Sequence, residues 1–389
     1  MKTEKRLLVF RLVGVMLMLV FSGCASKMRA PEAELDTPEH HVMNGMKLLK
    51  KGNVDDAERE FILAKELDLK FSGAYTGLGL VCGHRGDFEK AMENMKLAGK
   101  YADTKEEKAD AYIGYIRLYT LGKAKIDEDW LEEAEDAFDD AVDLSPDSAA
   151  AHFYMGIAYK EAYEFSDAAM MFSKVLDLDT EYVADADAEF LVVQKIQRAM
   201  PGTMVGKKIA LVKEITRGDI AALFIEELNL DTLYEKRTAK TFDTSYKDPV
   251  KRFETEETVK LPPATDIADY VLKTDVDAVI AIGIHGLEPY PDHTFRPNEK
   301  IARANYAVMI EDILIKVTGD QKLATKFIGS ESPFPDLRND LHYFNAVMVC
   351  TTRGILQGDV GSGEFKPMGT ISGADALLAI RTLKSQIEM

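Results

Sequence analysis

Two arginines stand where a cation is usually unwelcome. Arg217, in Ile215-Thr216-Arg217-Gly218-Asp219, and Arg303, in Ile301-Ala302-Arg303-Ala304, each open an apolar run with helical spacing. The start of a helix carries unpaired amides and the positive end of its dipole, so a cation there costs a few tenths to about 1 kcal/mol. Amides and a guanidinium at one point make an anion site, and the arginine fork suits a carboxylate held at two points. Thr216 with Asp219 has the spacing of a capping box, Ser372 with Asp375 keeps a weaker version, and Ala302 with Asn305 has lost it. The implied chemistry is recognition of an anion, with Arg217, Arg303 and Thr216 as the binding residues.

Nothing in the sequence adds reaction chemistry to this. It has no phosphate loop, no His-Glu-x-x-His, no nucleophile elbow and no dinucleotide fingerprint. No catalytic residue, metal site or cofactor is expected, and the chain reads as a non-enzyme. The seven histidines are scattered, and His40-His41 reads as an exposed helix start. The run from Asp127 to Asp147 reads as a solvated acidic helix face able to attract a basic partner. A formal net charge of −18 argues against nucleic acid as a partner. Three cysteines imply no disulfide framework, and Cys82 and Cys350 read as small buried hydrophobes.

The elements that would position such a site fall into three stretches. Residues 1–23 have a basic start, a short apolar core from Leu12 to Phe21 and small residues before Cys24. That is the layout of a signal peptide, too short to be a comfortable membrane span. Its end resembles a bacterial lipobox, which implies acylation at Cys24 and anchoring to a membrane, with Phe21 in place of the usual aliphatic residue. Ala25, in place of aspartate, points to the outer membrane. Residues 24–37 read as a tether.

A period of 34 follows. Gly45, Gly52, Ala57, Phe61 and Ala64 recur as Gly79, Gly86, Ala91, Met95 and Ala98, each 34 residues on. Gly156, Tyr159, Ala168 and Phe172 form a later copy, and Ala134, Phe138, Ala141 and Pro146 the second half of another. This resembles the tetratricopeptide repeat, a pair of antiparallel helices in an α-solenoid. The resemblance implies four units within residues 38–200, a capping helix over 181–199, and a concave groove for a protein partner. Gly114 to Ala134 is 20 residues where the other units have 12, so the third unit should carry a longer helix or turn near Leu121–Trp130.

From about Lys207 the period becomes 70. Phe295-Arg296-Pro297 and Ile301-Ala302-Arg303-Ala304 return as Phe365-Lys366-Pro367 and Ile371-Ser372-Gly373-Ala374, and the pairs Gly283-Ile284 and Gly354-Ile355 precede them. With the turn Tyr290-Pro291-Asp292-His293-Thr294-Phe295-Arg296-Pro297, this resembles the S-layer homology module. The resemblance implies a mostly helical pseudo-trimer around three central helices over 207–386. It would comprise a fragment at 207–235 and modules at about 265–318 and 332–386, with 235–263 as an irregular arm. It also implies contact of the motif arginines, with Asp292 and Arg296 of the turn, to an anionic cell-wall polymer. Gly373 stands at the third arginine position, and the module's usual tryptophan is missing, since the one tryptophan is Trp130.

The whole reads as a mainly α, lipid-anchored scaffold of the cell envelope, held in the outer membrane and facing the periplasm. The C-terminal modules would bind peptidoglycan or an attached polymer, and the repeats a protein partner. The alternative is an accessory lipoprotein of an outer-membrane or secretion complex, whose modules dock protein in place of glycan.

Overall fold

The computed structural model describes residues 28–237 and 264–387. The leader with Cys24, and the expected arm beyond residue 237, lie outside the described residues. The chain divides into two compact units, Met1–Asp187 and Ala188–Met389.

In the first unit the helices come in antiparallel pairs: α1 (Pro38–Lys50) with α2 (Val54–Leu67), α3 (Ser72–His84) with α4 (Phe88–Tyr101), α5 (Lys105–Gly122) with α6 (Trp130–Leu144), and α7 (Ala149–Glu161) with α8 (Phe165–Leu178). The periodic residues explain the pairing. A Cβ on Gly45 would lie 2.5 Å from the Phe61 ring, and one on Gly156 2.7 Å from Phe172. Glycine lets α1 and α7 approach rings that are themselves fully buried. The longer third unit is a long helix: α5 has 18 residues where α1, α3 and α7 have 13. A 3-10 turn, Lys123–Lys125, then leads on to α6. A helix, α9 (Val183–Ala199), occupies the stretch where a cap is expected, and the boundary between the units falls inside it.

The second unit contains α10 (Met204–Ala210), α11 (Arg217–Glu226), α12 (Leu230–Arg237), α13 (Lys273–Ile282), α14 (Arg303–Thr318), α15 (Phe344–Thr352) and α16 (Gly373–Ile387). The three helices opened by the repeated motif, α11, α14 and α16, meet at the centre. Tyr306 of α14 is fully buried, stacks on Phe224 of α11 at 6.0 Å, and donates from its hydroxyl to Ala376 O of α16 at 2.9 Å. Just before these helices, equivalent residues touch across a pseudo-threefold arrangement. Ile215 donates its amide to Ile371 O and Ile301 donates to Ile215 O. One residue earlier, Glu214 accepts from Lys300 and from Thr370 Oγ1. The repeated Gly-Ile pairs end α13 and α15. Gly283 and Gly354 take φ of +74° and +68°, and Ile284 and Ile355 turn into the core.

Candidate functional site

The two motif arginines do not point from their own helices toward solvent. Each enters the turn of the next module. Arg217 donates from Nε to Phe295 O at 2.8 Å, from Nη1 to Gly286 O at 2.7 Å and from Nη2 to Glu288 O at 3.0 Å. Its guanidinium also lies between the rings of Tyr290, 4.9 Å away, and Phe295, 4.7 Å away. It is 6% exposed. The backbone amides are taken as well: Arg217 N donates to Glu299 O and Gly218 N to Pro297 O. The next amide, Asp219 N, is capped by Thr216 Oγ1, and Thr216 N donates back to Asp219 Oδ2 at 2.8 Å. Arg217 and Thr216, expected to receive an anion, are instead committed to carbonyls and to the cap. A cation is tolerated at this helix start because three carbonyl oxygens surround it.

Arg303 repeats the arrangement incompletely. Nε donates to Phe365 O at 2.9 Å and Nη2 to Gln357 O at 2.6 Å, and the Phe365 ring lies 4.8 Å away. Nη1 has no partner among the described residues. The place that Tyr290 takes in the preceding turn is held by Asp359: Tyr290 N donates to Thr294 O in one turn, Asp359 N to Glu364 O in the other. Asp359 turns away to pair with Lys366 at 2.8 Å, so no second ring closes over the face of the guanidinium opposite Phe365, and Arg303 is only half-buried. Its helix start also lacks a side-chain cap, since Ala302 stands at the N-cap. Burial lowers the pKa of both arginines from the ordinary value, and nearby acids oppose that shift. Both stay cationic at any physiological pH.

Asp292 and Arg296 pair with each other at 3.0 Å within the turn. Asp292 also accepts from Thr294 N and Oγ1, and these bonds, with Arg296, hold its carboxyl below the usual range. Arg296 lies 4.2 Å from the outer face of Tyr290. The two residues therefore stiffen the ring that covers Arg217. The third interface has no arginine. Gly373 N donates to Val212 O at 2.8 Å, and a Cβ there would lie 1.7 Å from Ile209 O, so α10 fills the space.

Two aspartates that the motif reading passed over build these turns. Asp266 accepts from the amides of Phe295 and Arg296, both at 2.7 Å, and Asp336 from those of Phe365 and Lys366 at 2.9 and 2.7 Å. Arg296 and Lys366 have φ of +55° and +57°, so each carboxylate holds a left-handed residue in place. The signal was present in the sequence, since 266 and 336 are the same 70 residues apart as the motifs.

The repeats form a second candidate site, a cavity of about 420 Å³ on the face made by α1, α3, α5 and α7. Val42, Met46, Lys47, Asp110, Arg117 and Tyr154 are among its lining residues. Arg117 lies over the Tyr154 ring at 4.4 Å. Desolvation in the cavity wall, with Glu181, Glu107 and Glu106, raises the Asp110 pKa above the usual carboxylate range. The N-terminal stretch is not free either. Arg29 makes a two-point pair with Asp36, each bond 2.7 Å, and His41 sits between Asp36 and Glu60 at 2.8 and 2.7 Å. His41 is thus a clasp between the expected tether and α2, and not an exposed helix start.

Residues 333–377 match the S-layer homology domain. The chain is also 30% identical over 137 residues to tetratricopeptide repeat protein 6 of Homo sapiens, a stretch covering 35% of this chain and 24% of that protein. The chain therefore spans about a quarter of the length of that curated relative. S-layer homology domains bind cell-wall polymers and tetratricopeptide-type repeats bind proteins; both are non-catalytic modules. An S-layer homology domain implies cell-surface or envelope association. Among the described residues no helix is long and apolar enough to cross a membrane.

Proposed function

We propose that the chain is a non-enzymatic scaffold of the cell envelope, anchored by lipid at Cys24 in the outer membrane and facing the periplasm. Its C-terminal modules hold peptidoglycan or a wall-attached anionic polymer, and its repeats hold a protein partner. The observation that carries the wall contact is the half-open guanidinium of Arg303, with one nitrogen free among the described residues and an aromatic ring, Phe365, on one face only. In this reading Arg303 meets the anion while Arg217, Thr216, Asp292 and Arg296 keep the neighbouring turn rigid. The closed state of Arg217 and the filled interface at Gly373 favour a second reading, an accessory lipoprotein whose modules dock protein.

The test is co-sedimentation of the chain without residues 1–23 with sacculi from its source cell, beside Arg303→Ala and Arg217→Ala. The wall reading expects the native chain to pellet and Arg303→Ala to stay in solution. Pelleting that survives Arg303→Ala moves the contact to another surface. No pelleting by the native chain leaves the docking reading.

A further inference from the structure

Part of the repeat cavity's wall comes from outside the paired helices. The link between α8 and α9, Asp179-Thr180-Glu181-Tyr182, brings Glu181 and Tyr182 to the cavity, where both line it. The Tyr182 ring stacks on Phe153 at 4.9 Å and 18°, and meets Tyr154 edge-on at 5.6 Å. Tyr154 is also the residue over which Arg117 lies. This insertion is made against backbone preference: Asp179 and Tyr182, neither of them glycine, have φ of +47° and +60°. Left-handed backbone at non-glycine residues is uncommon and clusters at ligand clamps and switches.

Beyond these ring contacts, the charge pair that fastens the segment is weak. Lys50 at the end of α1 pairs with Asp185 on the first turn of α9 at 2.5 Å, but the lysine side chain is 65% exposed. An exposed pair of this kind adds little holding energy. With Glu181 removed, the cavity would present Lys47, Lys50 and Arg117 against one carboxylate, Asp110. The vacated site is cationic and flanked by an aromatic shelf.

Building on the reading of the repeats as a protein-binding groove, we propose that Glu181-Tyr182 is a built-in occupant that a partner displaces. The partner segment is an extended peptide with an aromatic side chain between carboxylates. A self-occupied groove lowers apparent affinity by the fraction of molecules that are open.

The probe is a fluorescent peptide with the sequence of residues 177–186, DLDTEYVADA, titrated into the full chain by anisotropy. Tyr182→Ala is expected to bind it at least about tenfold more tightly than the native chain, by removing the competitor. Asp185→Lys, which opposes Lys50 from outside the cavity, should tighten binding in the same direction without altering the cavity lining. Both variants are checked for native helix content by circular dichroism. Adding Arg117→Ala to Tyr182→Ala should abolish the gain. Equal affinity in the native chain, Tyr182→Ala and Asp185→Lys overturns the occupant while leaving a peptide groove in place. No binding by any of them overturns both the occupant and the acidic-aromatic partner. Neither result bears on sedimentation with sacculi.

Discussion

Tyr290 lies across the guanidinium of Arg217, and at the corresponding place in the next turn Asp359 leaves one face of Arg303 open. This exchange, with one carbonyl bond fewer and no side-chain cap at the helix start, separates the two arginines into a buried strut and a half-open one. Removing them should have unequal effects. Arg217→Ala strips donors from three carbonyls of a turn and leaves a void between two rings, which should cost about 2–4 kcal/mol. Arg303→Ala removes two bonds at a wetter position and should cost about 1 kcal/mol. Calorimetry of the full chain checks this, with the C-terminal transition falling further for Arg217→Ala.

The cover can be restored. Asp359→Tyr would lay a ring over Arg303 as Tyr290 does over Arg217. Under the wall-contact proposal, sedimentation with sacculi should then fall by about tenfold or more, the worth of one charge-assisted contact. The exchange also removes the bonds of Asp359 to Gly361 N, Ser362 N and Lys366, so the thermal midpoint should drop slightly while the unit stays folded. Loss of binding with loss of folding would attribute the effect to the turn and not to the cover.

Gly373 makes the opposite case, where the family's arginine cannot be put back. A Cβ at 373 meets Ile209 O at 1.7 Å, a backbone atom that cannot swing aside like a side chain. Gly373→Ala should therefore displace α10 and destabilise the unit by about 2–4 kcal/mol, and Gly373→Arg by more. Hydrogen exchange localises the effect: the amides of 204–210 should lose protection first.

The parts of this molecule that were legible in advance are those where a side chain's size or a backbone's handedness recurs at fixed spacing. Gly45 against Phe61, the Gly-Ile pairs at the ends of α13 and α15, and the motif opening α11, α14 and α16 are all of that kind. The fate of Arg217 was not legible, because its partners are the carbonyls of Gly286, Glu288 and Phe295, and every residue has a carbonyl. The contrast between Tyr290 and Asp359 was hidden by an extra residue in the second turn, which shifts the alignment by one. Tyr182 gave no pattern at all, since it belongs to a link that occurs once.

The last expectation concerns His41. Desolvation lowers its pKa, but hydrogen bonds and charge from Asp36 and Glu60 outweigh that and raise it above the ordinary value. Arg29 also faces Asp36, and with His41 it holds that carboxyl well below its usual range. The sign follows from linkage. A group whose folded pKa is raised stabilises fully below its unfolded value, about 6.5 for histidine, and that contribution disappears as pH rises through the folded pKa. A carboxyl whose folded pKa is depressed stabilises above its unfolded value, about 3.9 for aspartate, and the contribution fades as pH falls below it. Docking of residues 29–36 onto the first repeat should thus be strongest between about pH 4 and 6.5 and loosen on the alkaline side. Limited proteolysis in the 28–37 stretch across pH reads this directly. Cleavage should increase above neutrality in the native chain. In His41→Gln it should be high and independent of pH from 5.5 to 8.5. A native cleavage profile that stays flat over that range would mean that the imidazole is not the fastening.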